Sequence, residues 1–448
     1  MGKSLAYRLS RLGSKRAITK MQSAVIVVVL IVAVVAAIAY ASLSTPSKQP
    51  VTIKFAMCQG QDTDYVKSLI PKFEQENPGV KVELESMVYY SVREKEVMEL
   101  SAGTGAYDGI MVDFPWVVEY AKAGWMLSLD EIIKDPKLTP PDFDPGDFHP
   151  RIWELNKVDG KTWTIPFVTG VRVMAYRADI YQKEGLKVPE TWDEYYQNAK
   201  VINEKYAPDI YGTMIMGARG DHLNHEWPVF LWSFGGDIFD QSWKPTLNET
   251  KAIESLEYMK SLLQFSPPGA LTYGWYEAIT AGMDGLPAQM IFYSHHCSLL
   301  EDPSTSKVVG KYSFAKPPKG TEEASLLAGW GLGIPKSSKH QDEAWKFISY
   351  VTSKEGAKSF TLAGGAGYAR VSVLNDPEVS NKWRFIKAVL DTMPYCHTHP
   401  RIAEWPQVAD MTALELSNAL SGKKTCEMAL SDAAAYIELF MARAGYYK

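Results

Sequence analysis

VTIKFAMCQGQDTDYVKSLIPKFEQENPGVKVELESM, residues 51–87, is the stretch that sets the fold class. Val51–Met57 alternates apolar and polar side chains and is rich in β-formers, the pattern of a strand. A turn, CQGQDTD, follows. Val66, Leu69, Ile70 and Phe73 then recur at helical spacing, which predicts a helix over Tyr65–Asn77, stopped by Pro78-Gly79. Val80–Met87 alternates again and reads as a second strand. Working outward, a helix through Leu100 ends at the Gly103/Gly105 loop, Asp108–Val112 is a short buried strand, and Trp116–Ala123 is helical up to Gly124. This β-α-β-α-β order with short links predicts an α/β protein built on a parallel, doubly wound sheet. Further on, Val158–Pro166 reads as a β segment turning at Asp159-Gly160. Val171–Tyr176, Tyr211–Met216, Ala288–Phe292 and Trp330–Ile334 read as strands. Thr191–Lys205 is a helix opened by Thr191 with acidic residues in its first turn. His340–Val351 is helical, and the last hundred residues are mostly so.

Composition narrows the class. The chain has 448 residues, 46% hydrophobic and 22% charged, the profile of packed globular domains. Its formal net charge of −5 argues against a nucleic-acid partner. Aromatics reach 12%, with 13 Trp and 24 Tyr, more rings than a core alone needs, so some are expected on a binding surface. Cys58, Cys297, Cys396 and Cys426 contain no CxxC pair, which excludes a zinc ribbon or a thioredoxin motif.

Ala24–Ala41 (AVIVVVLIVAVVAAIAYA) carries no charge and is long enough to span a bilayer. Lys3, Arg8, Arg11, Lys15, Arg16 and Lys20 precede it without an acidic residue. The positive-inside bias then predicts a cytoplasmic N-terminus and an extracellular bulk. The expected organisation is a basic leader at 1–22, a transmembrane anchor at 23–42 and a linker at 43–50. Lys15-Arg16-Ala17 also resembles a pilin-like leader, with cleavage after Ala17.

Several stretches resemble one family: KFEQENPGVKVE (72–83), YDGIMVD (107–113), DGKTWTIPF (159–167), WSFGGDIFD (232–240), AGWGLGIPKSSKHQDEAWKF (328–347) and RVSVLNDPE (370–378). In order and spacing, from about Val51 to Met441, they resemble the extracellular solute-binding proteins of ABC importers, family 1, the maltose-binding-protein-like sugar binders. The resemblance implies a two-lobed periplasmic-binding-protein-like (type II) α/β fold with the ligand in the cleft. It implies lobe 1 at 51–163 and 294–366 and lobe 2 at 168–290 and 368–448. Crossings would fall near Lys161–Phe167, Phe292–Ser294 and Gly364–Arg370. It also implies a non-catalytic, monomeric receptor, without cofactor or metal, that delivers an oligosaccharide to a membrane permease.

A sugar offers C–H faces that stack on aromatic rings and hydroxyls that bond polar side chains. Gln61 and Asp62 follow the first strand, at the carboxyl end where open α/β sheets bind ligands; they equally suit a helix start. Asp113, Phe114 and Trp116 follow the strand DGIMV, where Asp113 is either a hydroxyl acceptor or a helix cap. Phe167 and Arg172 flank the first crossing. Trp227 and Trp232 lie in an apolar run, as stackers or as core. Tyr293 and His295 end a strand, and Trp330 stands between Gly329 and Gly331, which would admit close approach of a ligand. Arg370 and Tyr395 match regions of the family that reach the cleft. Asn248-Glu249-Thr250 is a glycosylation sequon, and Cys396 and Cys426 are candidates to pair. His222/His225, His295/His296 and His397/His399 are the best metal case but match no metal motif. Two other functions remain open at this point: an extracellular glycoside hydrolase, which needs two flanking carboxylates, and a same-fold binder of a non-sugar solute.

Overall fold

The computed structural model describes residues 25, 27–34 and 50–447. The chain divides into two units, Met1–Pro50 and Val51–Lys448. In the first, residues 25 and 27–34 are helical with exposed side chains. This corrects the transmembrane anchor expected at 23–42: among the described residues, no helix is long and apolar enough to cross a membrane. The membrane location and cytoplasmic N-terminus that rested on the anchor fall with it. The leader at 1–22, cleavage after Ala17, the rest of 23–42 and the linker at 43–49 lie outside the described residues.

The second unit opens with β1 (Val51–Cys58), α1 (Gln61–Glu76), β2 (Val80–Met87), α2 (Tyr89–Ala102) and β3 (Gly109–Asp113). β1 runs parallel to both β2 and β3, as the crossover pattern predicts. A 3-10 turn at Phe114–Trp116 leads into α3 (Val117–Lys122). Lys157–Val158 pairs with Lys161–Thr162 around Asp159 and Gly160, both at positive φ, the conformation an Asp-Gly turn favours. Then come β4 (Thr164–Arg177) and α4 (Trp192–Tyr206), whose capping box joins Thr191 and Glu194. The chain continues through α5 (Asp221–Ser233), α6 (Thr250–Ser261), α7 (Trp275–Asp284), β5 (Gln289–Tyr293), β6 (Tyr312–Ala315) and β7 (Ser325–Gly333). It ends in α8 (Gln341–Val351), α9 (Lys354–Leu362), α10 (Phe385–Thr392), β8 (Cys396–His397), α11 (Trp405–Leu420) and α12 (Cys426–Arg443).

The sheet order is β2-β1-β3-β7-β4-β5, with β6 on β4 and β8 on β7. β7 is antiparallel to β3 and β4, and β5 and β6 are antiparallel to β4. The sheet is therefore mixed, not wholly parallel: β7 reaches β3 from the far half of the molecule and runs back along it. The fold is two-lobed α/β. At one end β1–β3 carry α1 and α8; at the other, β5 and β6 flank the second half of β4 near the α5, α6, α11 and α12 group. β5 ends at Tyr293 beside the second half of β4, and β7 is the strand that returns from there to β3.

Tyr211–Met216 does not form a strand. Only Tyr211 bridges Pro287, and the following amides are taken by loop carbonyls, Thr213 N–H by Phe265 and Gly217 N–H by Ala270. A strand-like pattern is thus satisfied without a ladder. The four cysteines are free, which corrects the Cys396–Cys426 pairing. Cys396 packs with Phe385 and Met393 in one hydrophobic cluster, and Cys426 packs with Leu430 and Leu420 in another. Asn248 is exposed in a turn.

Candidate functional site

A cavity of about 360 Å³ opens between the carboxyl ends of β1 and β3 and the N-terminal ends of α5 and α7. Its first wall carries Gln61, Asp62, Tyr89, Asp113 and Trp330; its second carries His225, Trp275, Tyr276, Tyr293 and His295. The position follows from topology, since parallel strands end together and leave a crevice outside their carboxyl ends.

Asp113 is the last residue of β3 and buried. Its carboxyl makes no capping bond to the following turn; Oδ2 instead lies 2.8 Å from the Tyr89 hydroxyl oxygen, within hydrogen-bond distance. Burial pushes its carboxyl up to about 7. The same Tyr89 oxygen lies 2.7 Å from Asp221 Oδ2 on α5, and Tyr90 Oη accepts from Asp221 N–H at 2.9 Å. His225, one turn along α5, places Nε2 3.1 Å from Asp221 Oδ2, and its Nδ1 bonds the Tyr293 hydroxyl. Burial alone would raise Asp221, but neighbouring His225 carries its carboxyl below the usual range. Tyr89, Asp113, Asp221, His225 and Tyr293 thus form one chain of polar atoms across the cleft.

Gln61 ties three segments. Its amide donates to the carbonyls of His295 at 2.6 Å and Gly364 at 3.1 Å. Asp62 accepts from Ala366 N–H at 3.3 Å, and burial pushes its carboxyl up to about 7. Burial also drives His295 well below the ordinary histidine value and His296 down to about 3. Among the described residues, no group of three or more His, Cys, Asp or Glu is placed to hold a metal.

Trp330 stands edge-on to Tyr89 and Trp116, with ring centroids 5.6 and 5.3 Å away. The space beside its two glycines is filled by the protein itself. A Cβ on Gly329 would lie 2.1 Å from the Val168 carbonyl oxygen, and one on Gly331 2.4 Å from Asn156 Oδ1. Those glycines let β4 approach β7, and the Trp330 ring faces the cavity independently of them.

Of the fourteen residues expected to bind ligand, Gln61, Asp62, Asp113, Tyr293, His295 and Trp330 line the cavity and the other eight do not. Trp116 backs Trp330, and Phe114 lies buried beneath Gly329. Phe167 stacks on Phe360 with centroids 5.1 Å apart. Arg172 is buried in an ion pair with Glu226 and lies 4.9 Å from the Tyr293 ring centroid, behind the cavity wall. Trp227 donates to Ser255, and Trp232 stacks on His397 and donates to Asp237; both are core. Arg370 is locked by the carbonyls of Phe143, Asp144 and Thr352. Tyr395 is 41% exposed, under Lys316. Sequence reasoning missed Tyr89, His225, Trp275 and Tyr276 as lining residues. The signal for the last two was a Trp-Tyr pair directly after Gly274, at a helix start.

Residues 59–358 match the family of bacterial extracellular solute-binding proteins. The chain belongs to this family. Members are transport components that bind and do not catalyse, so the hydrolase alternative is set aside. A "probable amino-acid ABC transporter periplasmic-binding protein" of Sinorhizobium fredii is 28% identical over 83% of this chain and 85% of its own. The mannitol-binding protein of Pseudomonas aeruginosa is 25% identical over 92% of this chain and 99% of its own. An ABC-transporter solute-binding protein from Agrobacterium radiobacter, solved with ribitol, superposes with a TM-score of 0.81 at 28% identity, covering 88% of this chain and 99% of the other.

Proposed function

We propose that this solute-binding protein captures a sugar or linear polyol between the two walls and delivers it to an ABC permease. The observation that carries the reading is the lining: Trp275, Tyr276, Tyr293 and Trp330 offer ring faces, Gln61, Asp62 and Asp113 offer polar atoms, and among the described residues no Lys or Arg lines the cavity. Rings suit C–H faces, and carboxyl groups suit hydroxyls. The carboxylate of an amino acid and the phosphate of a sugar phosphate are anions, and among the described lining residues no Lys or Arg is present to pair with either. The ligands named for the mannitol- and ribitol-binding relatives support the same class. About 360 Å³ is at the low end of the roughly 300–1,000 Å³ usual for ligand pockets. That favours a polyol, mono- or disaccharide over the longer oligosaccharide expected from resemblance.

Thermal shift with mannitol, ribitol, maltose and a neutral amino acid tests this. A true ligand at a hundred times its Kd adds about 2.7 kcal/mol. Stabilisation by the amino acid, with none by the polyols or the sugar, overturns the reading.

A further inference from the structure

One hydroxyl of Tyr89 stands within bonding distance of two carboxylates from opposite walls, Asp113 Oδ2 at 2.8 Å and Asp221 Oδ2 at 2.7 Å. A phenol has one hydrogen to give. With both acids ionised, one carboxylate oxygen would face the lone pairs of Tyr89 at contact distance, in a buried setting where repulsion is poorly screened. A single added proton removes the conflict: Asp113 donates to Tyr89, and Tyr89 donates to Asp221. The proton belongs on Asp113 because Asp221 has a second donor. In the tautomer with hydrogen on Nε2, His225 donates to Asp221 and accepts from Tyr293 through Nδ1.

We propose that Tyr89, Asp113 and Asp221 form a one-proton latch across the cleft, so that closing the walls takes up a proton. The groups facing Asp113 are Tyr89 from α2, Asp221 and His225 from α5, Cys58 from β1 and, farther off, Tyr293 from β5 over Arg172 of β4. Tyr90 adds a second link from α2 to the Asp221 backbone. Opening breaks both links and returns Asp113 to water, where it ionises at its ordinary value. In the closed form burial holds its carboxyl near 7, above that ordinary value. A raised value means that the contribution to closure is complete below about pH 4 and is lost as pH rises through about 7. Tighter solute retention at mildly acidic pH follows and rests on the solute reading above; the closure itself does not.

Small-angle scattering of the solute-free full chain from pH 4.5 to 8, with infrared detection of a protonated carboxyl, tests the latch. The closed-to-open ratio is expected to fall with rising pH, by up to about tenfold per pH unit where the closed form holds one extra proton. The carboxyl band fades over the same interval. Asp113→Asn keeps a neutral donor and should show a pH-independent closed fraction, with the Asp113 share of the band gone and that of Asp62, whose carboxyl also stands at about 7, retained. Tyr89→Phe removes the bridge and should open the protein throughout the range. A flat wild-type profile, or an unchanged slope in Asp113→Asn, overturns the proposal. No solute enters the experiment, so a failed ligand screen and a failed latch are separate results.

Discussion

The Arg172 guanidinium and the Glu226 carboxylate pair in the interior, each side chain 1% exposed. Arg172 comes from β4 and Glu226 from α5, and the pair lies directly behind Tyr293, whose ring the guanidinium approaches at 4.9 Å. It joins sheet to helix under the wall that carries His225 and Tyr293. Removing one partner strands the other charge in the interior, a loss of about 3–5 kcal/mol. Arg172→Met and Glu226→Leu should each lower stability by that order. The double variant should recover much of the loss, read by urea unfolding of all four proteins.

Asp62 gives a pH signature of its own. Its carboxyl stands at about 7 in the fold through burial. Its contribution to folding is therefore complete below the ordinary carboxyl range and lost as pH rises through about 7. Asp62→Asn keeps the oxygen that accepts from Ala366 N–H and removes the titration. The variant should match wild type near pH 4 and be more stable at pH 8 by a few kcal/mol, since each tenfold change in acidity is worth about 1.4 kcal/mol. Melting temperatures across that range check it.

The two tryptophans singled out from opposite halves should behave differently. Trp330 faces the cavity, whereas Trp232 is buried against His397. Trp330→Ala should weaken polyol or sugar binding about tenfold, a stacking loss near 1.4 kcal/mol. Trp232→Ala should cost about 3–5 kcal/mol of stability and leave the affinity of the folded fraction nearly unchanged. Calorimetry paired with unfolding curves separates the two.

Gln61→Ala should act on both properties. It leaves the His295 and Gly364 carbonyls without their donor, about 1–3 kcal/mol if they stay dry, and it frees the loop after β1. Lower stability together with weaker solute binding is expected, measured on the same preparation.

The four thiols are all free. A thiol titration in denaturant without reductant should count four per chain, and reductant should leave the melting temperature unchanged.

Local pattern was enough for the first half of the sheet. The alternation in Val51–Met57 and Val80–Met87 and the helical spacing of Val66, Leu69 and Phe73 dictate a βαβ unit whatever surrounds it, because each element needs a face to bury. The Thr191–Glu194 cap and the Asp159-Gly160 turn were legible for the same reason: their hydrogen bonds close within a few residues. Asp113 could be placed near a cleft because a strand end is readable, whereas Trp330 was placed there through flanking glycines that in fact admit β4. Only the tertiary structure decided that β7 runs antiparallel to β3, since nothing local records the direction from which a distant strand arrives. It alone sent Arg172 into an ion pair with Glu226, 54 residues away. It alone turned the Trp232 ring onto His397 and brought Tyr89 between Asp113 and Asp221. Those roles depend on long-range pairing, and a buried ring or charge has the same local sequence whether it meets a ligand or another side chain.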